Sequence, residues 1–128
     1  MQFKIRHFGF KVDDLSKSLK YYIGEGYTEY YNETEFWKEF GVLEIIKLKK
    51  KNVPNIELIK TNSITYNNHL CFEINDIDDF YNINKNNYKF IVKPKMCDSG
   101  NVKVGFYISN NLLFEVVENK KINNNGEL

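Results

Sequence analysis

The sequence predicts an α+β protein built from two tandem βαβββ modules. Three observations carry this expectation. HFGFKVDDLSKSLKYY, starting at His7, is echoed by HLCFEINDIDDFYNIN, starting at His69. In both copies apolar residues follow the histidine at the first, third and fifth places: Phe8, Phe10 and Val12, then Leu70, Phe72 and Ile74. Three further strand-like runs follow each copy, separated by turn signals.

Taken in order, each module opens on a strand with one apolar face, because successive side chains point to opposite sides. The other face carries His7, Gly9 and Lys11 in one copy and His69, Cys71 and Glu73 in the other. A helix follows. Asp13 or Asp14 caps the first, and Asn75 or Asp76 the second. Leu15, Leu19 and Tyr22 form an apolar stripe at helical spacing, as do Ile77, Phe80 and Tyr81. Gly24 and Gly26 end the first helix, and Asn86 and Asn87 the second. Strands are then expected at 27–31, 42–48 and 55–60, and again at 88–92, 102–108 and 112–118. Lys49 to Pro54 form one turn, and Ser109-Asn110-Asn111 a tight hairpin. Phe36 and Trp37 are expected in a loop, covering a pocket or packing at the core or a dimer contact. Asp98-Ser99-Gly100 reads as a turn. The modules are bounded at about 1–62 and 63–118, within a single domain of 1–128. Residues 119–128 read as a solvated tail.

Composition narrows the function classes. The chain has 128 residues and a net charge of +1, so no overall field favours nucleic acid or a membrane surface. Arg6 is the only arginine, whereas readers of DNA or phosphate lean on several. The hydrophobic share of 42% and aromatic share of 16% support a real core. No apolar run approaches a membrane span, and the N-terminal run alternates rather than forming the apolar core of a signal peptide. Cys71 and Cys97 read as reduced thiols, and the expected location is cytoplasmic.

The last strand of each module carries a glutamate between apolar neighbours: Glu57 in NIELIK and Glu115 in LLFEVVE. Their neighbours should face the helix, which turns the glutamates to the same side as the histidines. A single histidine at a strand start is ordinarily a surface or core residue, and a single glutamate in a strand ordinarily faces solvent. Recurrence at equivalent places of a repeated unit changes that reading. His7, Glu57, His69 and Glu115 are the expected ligands of one divalent metal ion. Imidazole nitrogens with carboxylate oxygens suit Zn, Ni, Co, Mn or Fe.

These segments (HFGFKVDDLSKSLKYY with GEGY, IELI, HLCFEINDID and LLFEVVE) resemble the vicinal oxygen chelate superfamily, which includes glyoxalase I, methylmalonyl-CoA epimerase, extradiol dioxygenases and the bleomycin- and fosfomycin-resistance proteins. The resemblance runs over about residues 3 to 118. It implies modules forming a curled mixed sheet around a metal-binding groove, with the four residues above at the family's ligand places. A carboxylate at Glu57 favours the glyoxalase and epimerase branches over dioxygenases and fosfomycin-type transferases, which resemble this layout without a carboxylate there. GVLEIIKLK further resembles the epimerase strand that carries a proposed catalytic base, here Glu44.

The activity so implied is a metal-dependent epimerase or isomerase that moves a proton next to a carbonyl, with an acyl-CoA among the candidate substrates. Glu44 and Glu115 are the expected catalytic residues, one on each face of the reacting carbon. The alternatives are a glyoxalase I-like lyase and a metal-free ligand-binding or resistance protein. Glyoxalase I sites recruit arginines for glutathione, whereas strand alternation turns Arg6 away from His7. Lys49, Lys50 and Lys51 read as a solvated turn or a phosphate contact. The expected partners are a small-molecule substrate and a second copy of the chain, with no nucleic acid and no membrane.

Overall fold

Each histidine-led strand does run into a capped helix. The computed structural model describes residues 3–97 and 101–121, and the expected turn at Asp98-Ser99-Gly100 and the tail from residue 122 lie outside them. The elements are β1 (Lys4–Lys11), α1 (Leu15–Gly24), β2 (Thr28–Trp37), β3 (Gly41–Lys49) and β4 (Asn55–Lys60), then β5 (His69–Ile74), α2 (Ile77–Asn84), β6 (Lys89–Met96), β7 (Lys103–Ser109) and β8 (Leu112–Glu118). This is the α+β, tandem βαβββ order. Among the described residues, no helix is long and apolar enough to cross a membrane.

The chain forms two compact units, one of His7–Asn68 and one of Met1–Arg6 with His69–Leu128. In the first, the strand order is β2-β3-β4-β1. β1 pairs with β4 in parallel, placing Gly9 beside Glu57, and β3 is antiparallel to both β2 and β4. Asp14 caps α1, its side chain accepting from the Lys17 backbone N–H at 3.0 Å. Beyond the helix, Gly26 takes a φ of 94°, a left-handed conformation that glycine adopts without a Cβ penalty. Leu15, Leu19 and Tyr22 of α1 pack on Ile46, Leu48, Ile56 and Leu58.

The second unit repeats the plan with the order β5-β8-β7-β6. β5 pairs with β8 in parallel, placing Cys71 beside Glu115. Asp76 caps α2 by accepting from the Asp79 N–H at 3.0 Å, and Glu118 accepts from the Ile77 N–H at 3.2 Å, so two carboxylates serve the exposed donors of one helix start. Ile77 and Phe80 of α2 pack with Phe72, Ile74, Tyr107 and Val116. A Cβ at Gly105 would lie 3.2 Å from the Val92 carbonyl oxygen of neighbouring β6, a tight approach, and 3.7 Å, an ordinary contact, from Ile77 Cδ1 of α2. Asn110 and Asn111 both have positive φ between the paired Ser109 and Leu112, the backbone of a two-residue type I′ hairpin.

Some expectations need correction. β2 does not stop at Tyr31 but continues to Trp37, with Phe36 paired to Val42 and Trp37 to Gly41. The polar run from Asn32 to Glu35 conceals a strand at the sheet edge, where one side of the backbone and much of both faces meet solvent. β6 likewise extends to Met96 through Pro94, which an edge strand tolerates because it need not donate on its outer side. Phe8 is exposed, whereas Phe72 and Val116 are buried and Phe10, Leu70 and Phe114 are half-buried. α1 packs over β3, β4, Phe10 and Val12, and Phe8 is outside that cluster.

Candidate functional site

In each unit the first and last strands bring one histidine and one carboxylate together by the same register. Glu57 pairs with Gly9, two residues beyond His7, and Glu115 pairs with Cys71, two residues beyond His69. Parallel partners share a face, so each histidine meets its carboxylate diagonally. His7 Nε2 lies 3.2 Å from Glu57 Oε2, and His69 Nε2 lies 3.2 Å from Glu115 Oε1.

Both pairs are withdrawn from water. His7, Glu57 and His69 are 4%, 7% and 6% exposed, and the Glu115 side chain is 13% exposed. Groups of this polarity stay buried only with strong partners. A divalent ion is one such partner. Two donors about 2.1 Å from one ion stand about 3.0 Å apart at a right angle and about 3.4 Å apart at the tetrahedral angle. Both observed separations fall between these values. The donor set of imidazole nitrogen and carboxylate oxygen therefore fits a borderline divalent metal in chemistry and in spacing.

The flanks of the two carboxylates differ. Glu57 pairs with Lys47 across β3–β4, and Lys47 Nζ lies 3.9 Å from Glu57 Oε2. Lys47 in turn pairs with Tyr31 and sits 4.4 Å from its ring centroid. The Tyr31 hydroxyl donates to Glu35 Oε2 at 2.5 Å, and Trp37 Nε1 donates to Glu35 Oε1 at 2.9 Å. Burial first, and then the hydrogen bond to Glu35, push the Tyr31 hydroxyl far above its ordinary pKa, so it stays protonated. In the second unit the residue paired with Glu115 is Phe106, whose own β6 partner is Val92. The Phe106 ring meets His69 edge-on at 5.7 Å between centroids.

Glu44 does not join this face. It pairs with Lys60, in unbroken register with Ile46–Leu58 and Leu48–Ile56. It therefore shares the face that carries α1, lies out of phase with Lys47, and is exposed. The expectation that Glu44 points toward the ligands fails because its apolar companions, Ile46 and Leu48, serve the helix. Arg6 is turned to Glu73 at 3.2 Å. Sequence reasoning missed Lys47, Tyr31 and Glu35. The signal for Lys47 was its place between Ile46 and Leu48 in a strand of alternating faces. A 260 Å³ cavity in the second unit, lined by Phe3, Leu70, Phe72, Phe80, Tyr107 and Phe114 among others, lies on the helix side, away from His69 and Glu115.

No family model and no curated protein matches the chain. Solved structures do match it. The methylmalonyl-CoA epimerase from Mycobacterium tuberculosis is 16% identical, with 89% of this chain and 86% of that one covered at a TM-score of 0.70. A methylmalonyl-CoA epimerase in complex with methylmalonyl-CoA and NH4+ is 18% identical, with 94% and 97% covered at 0.70. A glyoxalase/bleomycin resistance protein/dioxygenase superfamily member from Vibrio splendidus 12B01 is 12% identical, with 92% and 100% covered at 0.66. The chain has the fold these proteins share.

Proposed function

We propose that this chain, carrying the fold of methylmalonyl-CoA epimerases and their superfamily, is a metal-dependent isomerase that moves a proton on a carbon next to a carbonyl, with an acyl-CoA as the leading substrate class. The observation that carries the reading is the pair of buried His–Glu couples, each 3.2 Å apart, at one register position in both modules. The solved complex of a similar fold with methylmalonyl-CoA supports the substrate class.

In this reading His7, Glu57, His69 and Glu115 together hold one divalent ion. Such an ion supplies Lewis acidity toward the substrate's carbonyl oxygen. The protein's own part is to place the donors, exclude water from them and move the proton. Glu115 is the proposed proton carrier, taking the proton at a carboxylate oxygen from one face of the carbon and returning it to the opposite face once the flattened carbon has turned that face to the carboxylate. Lys47 occupies the flank of Glu57, whereas Phe106 flanks Glu115 and makes no charge contact with it. Glu44, on the helix-bearing face, has no part in the step.

Protein purified without chelator is expected to hold about one equivalent of metal by mass spectrometry, and His69→Ala is expected to lose it. Wild-type protein that stays metal-free after incubation with Zn, Ni, Co and Mn would defeat the metal reading. Two equivalents would mean that each couple binds its own ion. Deuterium wash-in with acyl-CoA and 2-keto candidates then tests the reaction.

A further inference from the structure

We propose that Lys47, seated on the ring of Tyr31, is a specificity-determining residue that binds a carboxylate carried by the substrate next to its metal-directed oxygens. The inference rests on the metal reading of His7 and Glu57, and it names the substrate class as an acid bearing one negative charge beyond the reacting carbonyl group.

Three observations support it. The first is position. Lys47 Nζ is 3.9 Å from Glu57 Oε2, so an ammonium stands at the edge of the ligand face while keeping 26% of its side chain exposed. It can therefore reach a molecule entering from solvent. The second is support. The cation lies over the Tyr31 ring at 4.4 Å, and Tyr31 is held by Glu35, which is held in turn by Trp37. A flexible lysine is thereby fixed at one place, which lowers the entropy lost when it binds an anion. The third is the internal comparison that the repeat provides. The place paired with the module carboxylate is Lys47 in one unit and Phe106 in the other, and the next strand supplies Tyr31 in one and Val92 in the other. The second unit fills that place with two apolar residues, whereas the first seats a cation on a neutral phenol ring there.

Charge balance for Glu57 is the competing role, and the two roles separate experimentally. Malate and its 4-amide, malamate, present the same 2-hydroxyl and C1 carboxylate oxygens to a metal and differ by one negative charge at the far end. Titrated into metal-loaded protein by calorimetry, wild type should prefer malate about five- to tenfold, the size of one partly exposed charge-assisted contact. Lys47→Met should abolish the preference, and Lys47→Arg should keep most of it, with metal content unchanged in both. The emission of Trp37, the only tryptophan in the chain, should shift with malate in wild type and not in Lys47→Met. Undiminished preference in Lys47→Met overturns the proposal. So does tighter metal binding in that variant with the preference intact, which would assign Lys47 to charge balance. Failure of the metal reading itself appears in the metal analysis of wild type and not in the ratio of the two affinities.

Discussion

At the scale of the residue, geometry separates carboxylates that look alike in the sequence. Glu44, Glu57 and Glu115 each sit within an apolar strand. Glu57 and Glu115 pair diagonally with buried histidines, while Glu44 pairs with Lys60 on the helix-bearing face. Substitution by glutamine preserves shape and removes the base, so the three variants should part company. With metal held at saturation, Glu115→Gln should slow solvent-deuterium exchange into substrate by about 10²- to 10⁴-fold, the usual weight of a positioned general base. Glu57→Gln should chiefly weaken metal binding. Glu44→Gln should exchange within a few-fold of wild type and retain its metal. A collapse of exchange in Glu44→Gln with metal intact would return the base to β3 and show that its side chain reaches the ligand face.

At the scale of the element, the alternation of β5 divides one strand between two tasks. His69 and Cys71 serve the ligand face, while Phe72 and Ile74 serve the core under α2. Phe72 meets Phe3, Phe80 and Tyr107 edge-on, with centroids 5.4, 5.9 and 6.4 Å apart. Phe72→Ala should cost about 3–5 kcal/mol in denaturant unfolding, the usual loss for a buried phenylalanine. A loss below about 1 kcal/mol would mean that this ring is not part of the core. The helix starts were legible because a cap needs only one short side chain at one position, as Asp14 and Asp76 show. The end of β2 was not, because Asn32 to Glu35 are polar on both faces and only pairing with β3 makes them a strand.

At the scale of the whole molecule, a shared ion would couple binding to folding. Metal that binds the folded chain alone at 100 times its dissociation constant adds about 2.7 kcal/mol. For a chain of this length that corresponds to roughly 10 °C in the melting temperature. Chelator should therefore lower the melting temperature of wild type by about that amount and leave His69→Ala unmoved. An identical melting temperature for wild type with and without chelator would show that no ion contributes to stability.

The sequence alone determined the repeat, the α+β order of strands and helix in each module, the caps, the Asn110-Asn111 hairpin and the four residues that became two buried His–Glu couples. These depend on periodicity and on short-range chemistry, which a chain carries along its length. Only the tertiary structure decided which face of β3 the helix covers, and with it the loss of Glu44 from the ligand face. It alone set Lys47 beside Glu57 and over Tyr31, and Phe106 beside Glu115. Alternation gives the phase of side chains within one strand, but strand pairing and helix packing decide which phase meets the core and which neighbour each charge receives.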